Sequence, residues 1–285
     1  MAFFTYAAVI LAATLGASNG VFFRILQLPS TTITFFRVTI PVIVLLLYFW
    51  WKKTNPFQHF DRWFLIASLL NASRILLYIF SYLHTTIANA VIMSFTWPVF
   101  ATIMGTIFLK EKITKRTAGL ITLAFCGILL LYAEKFTVLK NDDALGMAAM
   151  LFSSILFAAM MIIFKKKLER YGTAESIFHQ NVAGAILFLP FLMINQPFPS
   201  GSQIAIASLY AFLVGLVAFI LFFYALKRIP MAHYGVLSYW EVPAAILFGM
   251  AFFGEQLTWL MALGGACIVV SGLLLRPSKG TPKTD

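Results

Sequence analysis

Ten stretches of roughly twenty mostly apolar residues follow one another along the chain, at 3–23, 31–51, 63–83, 87–109, 117–133, 144–164, 174–194, 204–226, 232–253 and 257–275. A run of that length and character crosses a bilayer as a helix, because there every backbone N–H and C=O must be satisfied within the segment. The composition agrees. Of 285 residues, 61% are hydrophobic and 11% charged, with a mean hydropathy of +0.90, whereas a soluble domain carries about 25% charged residues. The chain therefore reads as an all-α membrane protein of ten transmembrane helices. The longest connections, 52–62, 134–143 and 195–203, are too short to hold a soluble catalytic domain. No basic residue precedes the long first run, so it reads as a retained span rather than a signal peptide. The polar tail 276–285, with its Pro, Ser and Lys, reads as disordered.

The net charge of +11 raises nucleic acid as a partner, but the placement of the basic residues gives the charge another cause. With the N-terminus on the cytoplasmic side, that side holds 16 of the 21 Lys and Arg residues. They lie after spans 2, 4, 6 and 8, as in Lys110, Lys112, Lys115 and Arg116, and in the C-terminal segment. The other side holds 3, namely Arg24, Lys135 and Lys140. Such a bias over short loops predicts both termini in the cytoplasm and a protein of the inner, cytoplasmic membrane. Cys126 and Cys267 both lie in apolar runs and suggest neither a disulfide framework nor a metal site.

The two halves resemble each other. Sliding the sequence by 144 positions aligns Gly105 with Gly249, Glu111 with Glu255 and Thr114 with Thr258, and brings Pro98 within one position of Pro243. The unit is five helices, 1–133 and 144–275, joined by a linker at 134–143. An odd number of spans turns the second copy upside down, an arrangement typical of secondary transporters whose site lies near the midplane between the halves.

With these features the sequence resembles the drug/metabolite transporter superfamily, ten-helix EamA type. The resemblance rests on Leu15-Gly16-Ala17-Ser18-Asn19 in span 1, Phe36-Arg37 in span 2, the duplicated small-residue, Pro, Gly and Glu pattern, and Tyr239-Trp240-Glu241-Val242-Pro243. It implies transport, commonly of amino acids, with purines, nucleosides or adenosyl metabolites as the alternative, through a cavity lined by spans 1, 3, 4, 6, 8 and 9. Two features depart from the family pattern: Leu15 replaces the usual Trp, and Arg74 matches no family motif.

Within the spans, Arg37, Arg74 and Glu241 are the charges that lie well inside. A charge at the membrane centre costs about 2.5–3.5 kcal/mol, so each needs a partner or a wet cavity. Arg74 lies 11 residues past Trp63 and Glu241 nine past Ala232, depths of about 16 and 13 Å. Asn71, Arg74, Tyr78 and Tyr82 share one helical face, as do Tyr234, Ser238 and Glu241. Such stripes are either hydrogen-bond seams in which Arg74 and Glu241 neutralise each other, or the wall of a substrate cavity to which Asn19, Trp97 and Tyr239 would contribute. Glu241 and His179 are candidates for proton coupling. Arg37 sits about 9 Å from the outer end of span 2 and reads as a structural side chain that snorkels outward. Pro98 and Pro243 break spans 4 and 9 near mid-membrane, as kinks or as hinges, and free the carbonyls of Ser94 and Tyr239. The glycines of spans 5 and 10 read as close packing, and a weak homodimer through these spans is the alternative to a monomer.

Other classes fit poorly. Gly16-Ala17-Ser18-Asn19-Gly20 matches a serine-nucleophile signature, but that motif needs a strand-to-helix turn rather than a helical span. No Walker loop, HExxH or CxxC occurs, so neither a cofactor, nor a bound metal, nor an ATP-driven pump is expected. The expected partners are a small-molecule substrate and the lipid bilayer, not nucleic acid.

Overall fold

The structure is a computed structural model that describes residues 2–57, 61–133, 141–168, 171–194 and 198–275. The tail 276–285 and residues 134–140 of the expected linker lie outside the described residues. All regular structure among the described residues is helical. α1 (Ala2–Ala17) and α2 (Asn19–Leu26) form the first span, α3 (Ser30–Trp51) the second and α4 (Arg62–His84) the third. α5 (Ile87–Ser94) and α6 (Trp97–Phe108) form the fourth, and α7 (Lys115–Tyr132) the fifth. The second repeat runs through α8 (Asn141–Lys167), α9 (Thr173–Ile194) and α10 (Gly201–Tyr210). A π-helical segment, Ala211–Val217, leads from α10 into α11 (Ala218–Leu226). The last elements are α12 (Met231–Ser238), α13 (Glu241–Phe253) and α14 (Trp259–Leu273). Among the described residues nine helical stretches are long and apolar enough to cross a membrane, and α14, with 15 residues, is shorter.

Local chemistry places the boundaries. Side chains of Thr114 and Thr258, 144 residues apart, accept the N–H of Thr117 and Met261 at 3.1 and 3.3 Å and so start α7 and α14. Asp61 does the same for α4, and a Ser200–Gln203 capping box opens α10. α6 and α13 end in the same turn: the N–H of Glu111 reaches the Gly105 carbonyl and that of Glu255 the Gly249 carbonyl, both at 3.2 Å. The residues just before these acids, Lys110 and Gly254, are both left-handed, with φ of 55° and 64°. Glycine adopts that backbone freely, whereas Lys110 does so against the steric bias of its Cβ.

Packing follows the repeat. α3 packs on α9 and α7 on α14, each helix meeting its own counterpart, and α6 packs on α12, the other half of its counterpart span, while α4 packs on α8 and α1 on α11. The α7–α14 crossing is close because Gly127 and Gly264 face each other: a Cβ on Gly127 would lie 2.6 Å from the Gly264 carbonyl. Spans 5 and 10 thus pack on each other within one chain. Gly119, Gly265 and Gly272 face open space. Large apolar side chains such as Leu47, Phe152 and Ile186 point outward and are exposed, as a lipid-facing surface requires.

Two spans expected to be regular α-helices are not. Ser18 separates α1 from α2, its hydroxyl donating to the Leu15 carbonyl at 2.6 Å in a tight turn between Gly16 and Gly20. In span 8, the π segment Ala211–Val217 adds a wider turn, which brings Gly215 against α3.

Candidate functional site

Spans 4 and 9 are each broken just before a proline, Pro98 and Pro243. α5 stops at Ser94 and α6 starts at Trp97; α12 stops at Ser238 and α13 starts at Glu241. A proline has no N–H for the carbonyl four residues earlier, so the chain must find other donors. The Ser154 hydroxyl on α8 is shared between the Ser94 and Met93 carbonyls at 2.9 and 3.0 Å, and the Thr96 hydroxyl also donates to Met93 at 2.6 Å. The Tyr239 carbonyl accepts the N–H of Val242 at 3.1 Å.

Glu241 opens α13 and faces α1. Its Oε1 lies 3.0 Å from where a Cβ on Gly16 would stand, so the bare Gly16 backbone is what admits the carboxylate. Beside it, the Trp240 indole N–H donates to Thr14 Oγ1 at 3.0 Å. The first turn of a helix is a favourable position for a carboxylate, because the orphan N–H groups carry partial positive charge there.

Arg74 lies on α4 with its Nε donating to Asn71 Oδ1 at 3.0 Å and its guanidinium 4.4 Å from the Phe157 ring centre. Asn71 Nδ2 donates in turn to the Gln180 carbonyl at 2.9 Å, which ties α4 to α9. Further along the stripe, Tyr78 donates to Tyr82 at 3.3 Å. Among the described residues neither Arg74 nor Glu241 makes an ion pair. The two are not joined as a salt bridge.

The other expected site residues divide. Trp97 and Tyr234, with Phe157 and Phe222, form a four-sided ring of aromatic contacts with centroid separations of 5.1 to 6.3 Å. Asn19 accepts the Tyr210 hydroxyl at 2.7 Å. Ser238 bonds the Gly235 carbonyl of its own helix, and Tyr239 is fully buried with its hydroxyl on the Phe95 carbonyl. His179 stands apart: Nε2 lies 2.9 Å from the Pro56 carbonyl, and the ring stacks on Phe64, near the lysine-rich face.

Sequence reasoning missed three features. Arg37 lines the same small cavity as Arg74 and lies against Phe219, 5.9 Å from its ring centre, instead of reaching outward. Pro41, four residues on, cannot donate to the Arg37 carbonyl, and its ring would lie 2.9 Å from a Cβ on Gly215. That proline was the available signal. His233 is the second: its Nδ1 lies 2.6 Å from the Tyr6 hydroxyl, on the wall of a cavity of about 290 Å³ that Glu111 and Arg116 also line. The third is a set of partners for the repeat-related acids. Glu111 pairs with Lys165 at 2.6 Å and accepts the N–H of Met231 at 2.7 Å, while Glu255 pairs with Arg24 at 2.8 Å.

Comparisons with known proteins agree with this architecture. A crystal structure superposes with a TM-score of 0.78 at 19% identity, covering 95% of this chain and 96% of its own. An uncharacterized transporter of Archaeoglobus fulgidus is 23% identical, with 89% of each chain covered. Solute carrier family 35 member G1 of Mus musculus is 24% identical over 85% of this chain and 69% of its own length. An S-adenosylmethionine uptake transporter of Rickettsia felis is 23% identical over 87% and 83%. The EamA-like transporter family model matches twice, at residues 3–133 and 144–276. The chain belongs to the EamA-like transporter family.

Proposed function

We propose that this chain exports small organic metabolites, amino acids above all, across the cytoplasmic membrane by alternating access, without ATP and without catalysis. Both termini lie in the cytoplasm on this reading, which the 16-to-3 distribution of basic residues supports. The observation that carries it is that Arg74 and Glu241, opposite charges on different repeats, are each without an ion-pair partner among the described residues. A zwitterion offers what both lack: a carboxylate for the Arg74 guanidinium and an ammonium for Glu241. Pro98 and Pro243 serve as hinges, and Glu241 is the carboxyl through which a proton gradient would couple. Hydrolysis at Ser18 has no support, since its hydroxyl is committed to the Leu15 carbonyl.

A second reading, an adenosyl metabolite as cargo, is favoured by the relative named as an S-adenosylmethionine uptake transporter and by the aromatic ring around Trp97. Purified protein in sealed vesicles, offered labelled amino acids, nucleobases and adenosyl compounds in turn, separates the two. ATP-dependent flux, or flux at channel rates, would overturn the proposal. Reporter fusions after Lys53, Lys140, Lys167 and Gln203 should read in, out, in, out.

A further inference from the structure

We propose that Arg37 and Arg74 together form a binding site for one monoanion, a halide or the end of a carboxylate, in the chamber between α3, α4, α9 and the π segment. The proposal takes Arg74 from the substrate site proposed above but rests on the charge and donors of the chamber, not on which compound is carried.

The first argument is charge. Arg37, Arg74 and Glu241 lie deep in the bundle, and among the described residues none of them is in an ion pair, so the centre holds a surplus of one positive charge. A zwitterion between Arg74 and Glu241 adds no net charge and leaves that surplus in place. A monoanion removes it, and its attraction to two guanidinium groups offsets the cost of taking it out of water.

The second argument is hydrogen bonding. A guanidinium is all donor, and the bond from Arg74 Nε to Asn71 is the one that either arginine makes among the described residues. Asn71 is used at both ends, and Asn181 gives its Nδ2 to the Ile177 carbonyl. Gln180 Oε1, on a side chain only 1% exposed, lines the chamber with no partner. An amide whose oxygen has no donor can be turned so that its NH2 faces the chamber instead, where it would join the idle guanidinium donors around an anion.

The third argument is size. The chamber, of about 10 Å³, is at the lower limit for one water-sized particle, so a halide or one end of a carboxylate enters only as the side chains around it move slightly apart, and the bulkier phosphate and sulfate are disfavoured. Its floor is made by Phe219 and Gly215, and a side chain on Gly215 would collide with the Arg37 backbone.

The test is thermal unfolding of the purified protein in detergent, in a buffer whose anion is bulky isethionate, with chloride or formate titrated in at constant ionic strength. The wild type should show a saturable rise in midpoint with either ion and none with sulfate. Arg37→Gln should move half-saturation up by on the order of tenfold, the loss of one charged hydrogen-bonding partner. Gln180→Glu, which supplies a built-in anion, should raise the midpoint in isethionate and abolish the chloride response. A midpoint that rises equally with sulfate, or a Gln180→Glu protein that keeps the full chloride response, would overturn the proposal, even if Arg37→Gln fails to fold. Competition between chloride and a transported amino acid assigns the site to the substrate carboxylate, and additive binding assigns it to a resident ion. A chloride response in a protein that carries no amino acid would retire the substrate reading and leave this one standing.

Discussion

Tyr239 donates its hydroxyl at 3.1 Å to the carbonyl of Phe95, the residue in its own position 144 residues earlier in the other repeat. Both residues sit in the gap between the two halves of a broken span, so the two breaks are fastened to each other where the repeats meet. Tyr239→Phe keeps the ring and removes this bond. It should lower stability by about 1 kcal/mol, read as a lower unfolding midpoint in detergent, and an unchanged midpoint would show that the carbonyl finds another donor.

The acids that align across the repeats should differ in their importance. The side chains of Lys165 and Glu111 are 11% and 12% exposed, whereas those of Arg24 and Glu255 are 57% and 48% exposed. Glu111→Gln retains an acceptor for the Met231 N–H but strands the Lys165 charge, at a cost on the order of 2–3 kcal/mol. Glu255→Gln should cost less than about 1 kcal/mol. Unfolding of the two variants side by side decides the matter, and equal losses would mean that exposure does not govern these pairs.

Arg74→Lys should leave the protein folded and weaken substrate binding by about tenfold, because an ammonium cannot grip a carboxylate through two parallel bonds. Glu241→Gln should impair binding of amine-bearing substrates and remove any response of flux to a pH gradient. The check is substrate-induced thermal stabilisation alongside vesicle flux. A large loss of stability in both single variants, repaired by a neutral double variant, would instead mark the two as a structural pair.

On the lysine-rich face, Asp61 is held by Lys167, and that contact keeps its carboxyl below the ordinary carboxylate value of 3.8. A lowered value means that the contribution is complete above the ordinary value and is lost as the pH falls through the lowered one. Asp61→Asn can still cap α4 at the Trp63 N–H but cannot make the ion pair. The variant should therefore show a flatter loss of stability in acid than the wild type. Parallel acid limbs for the two would exclude the contact as the cause.

Much of this was legible because a bilayer leaves a chain few choices. The span positions follow from apolar runs, the duplication from the 144-residue offset, and the breaks near Ser94 and Ser238 from prolines that must free a carbonyl. What stayed hidden depends on phase or on distant partners. The segment Ala211–Val217 is apolar on every side, so no stripe reveals that its turns are wider. From span 2 alone Arg37 reads as an outward-reaching side chain, because Pro41 marks a freed carbonyl there but does not say that Gly215 stands against it. Glu111 and Glu255 were visible as a matched pair of acids, but Lys165 and Arg24, their partners, align three residues apart.

Those crossed partners have a consequence for the unit itself. Glu111 belongs to the first repeat and its cation Lys165 to the second, while Glu255 belongs to the second and Arg24 to the first. A five-helix fragment alone in a membrane would carry an unanswered acid at one surface and an unanswered cation at the other. A second fragment lying the same way up would present like charge to like at both surfaces, whereas one inserted upside down would answer both at once. The contacts are those of an antiparallel dimer written into one polypeptide. Cut between its halves, the gene would yield two products that can complete each other only in opposite orientations.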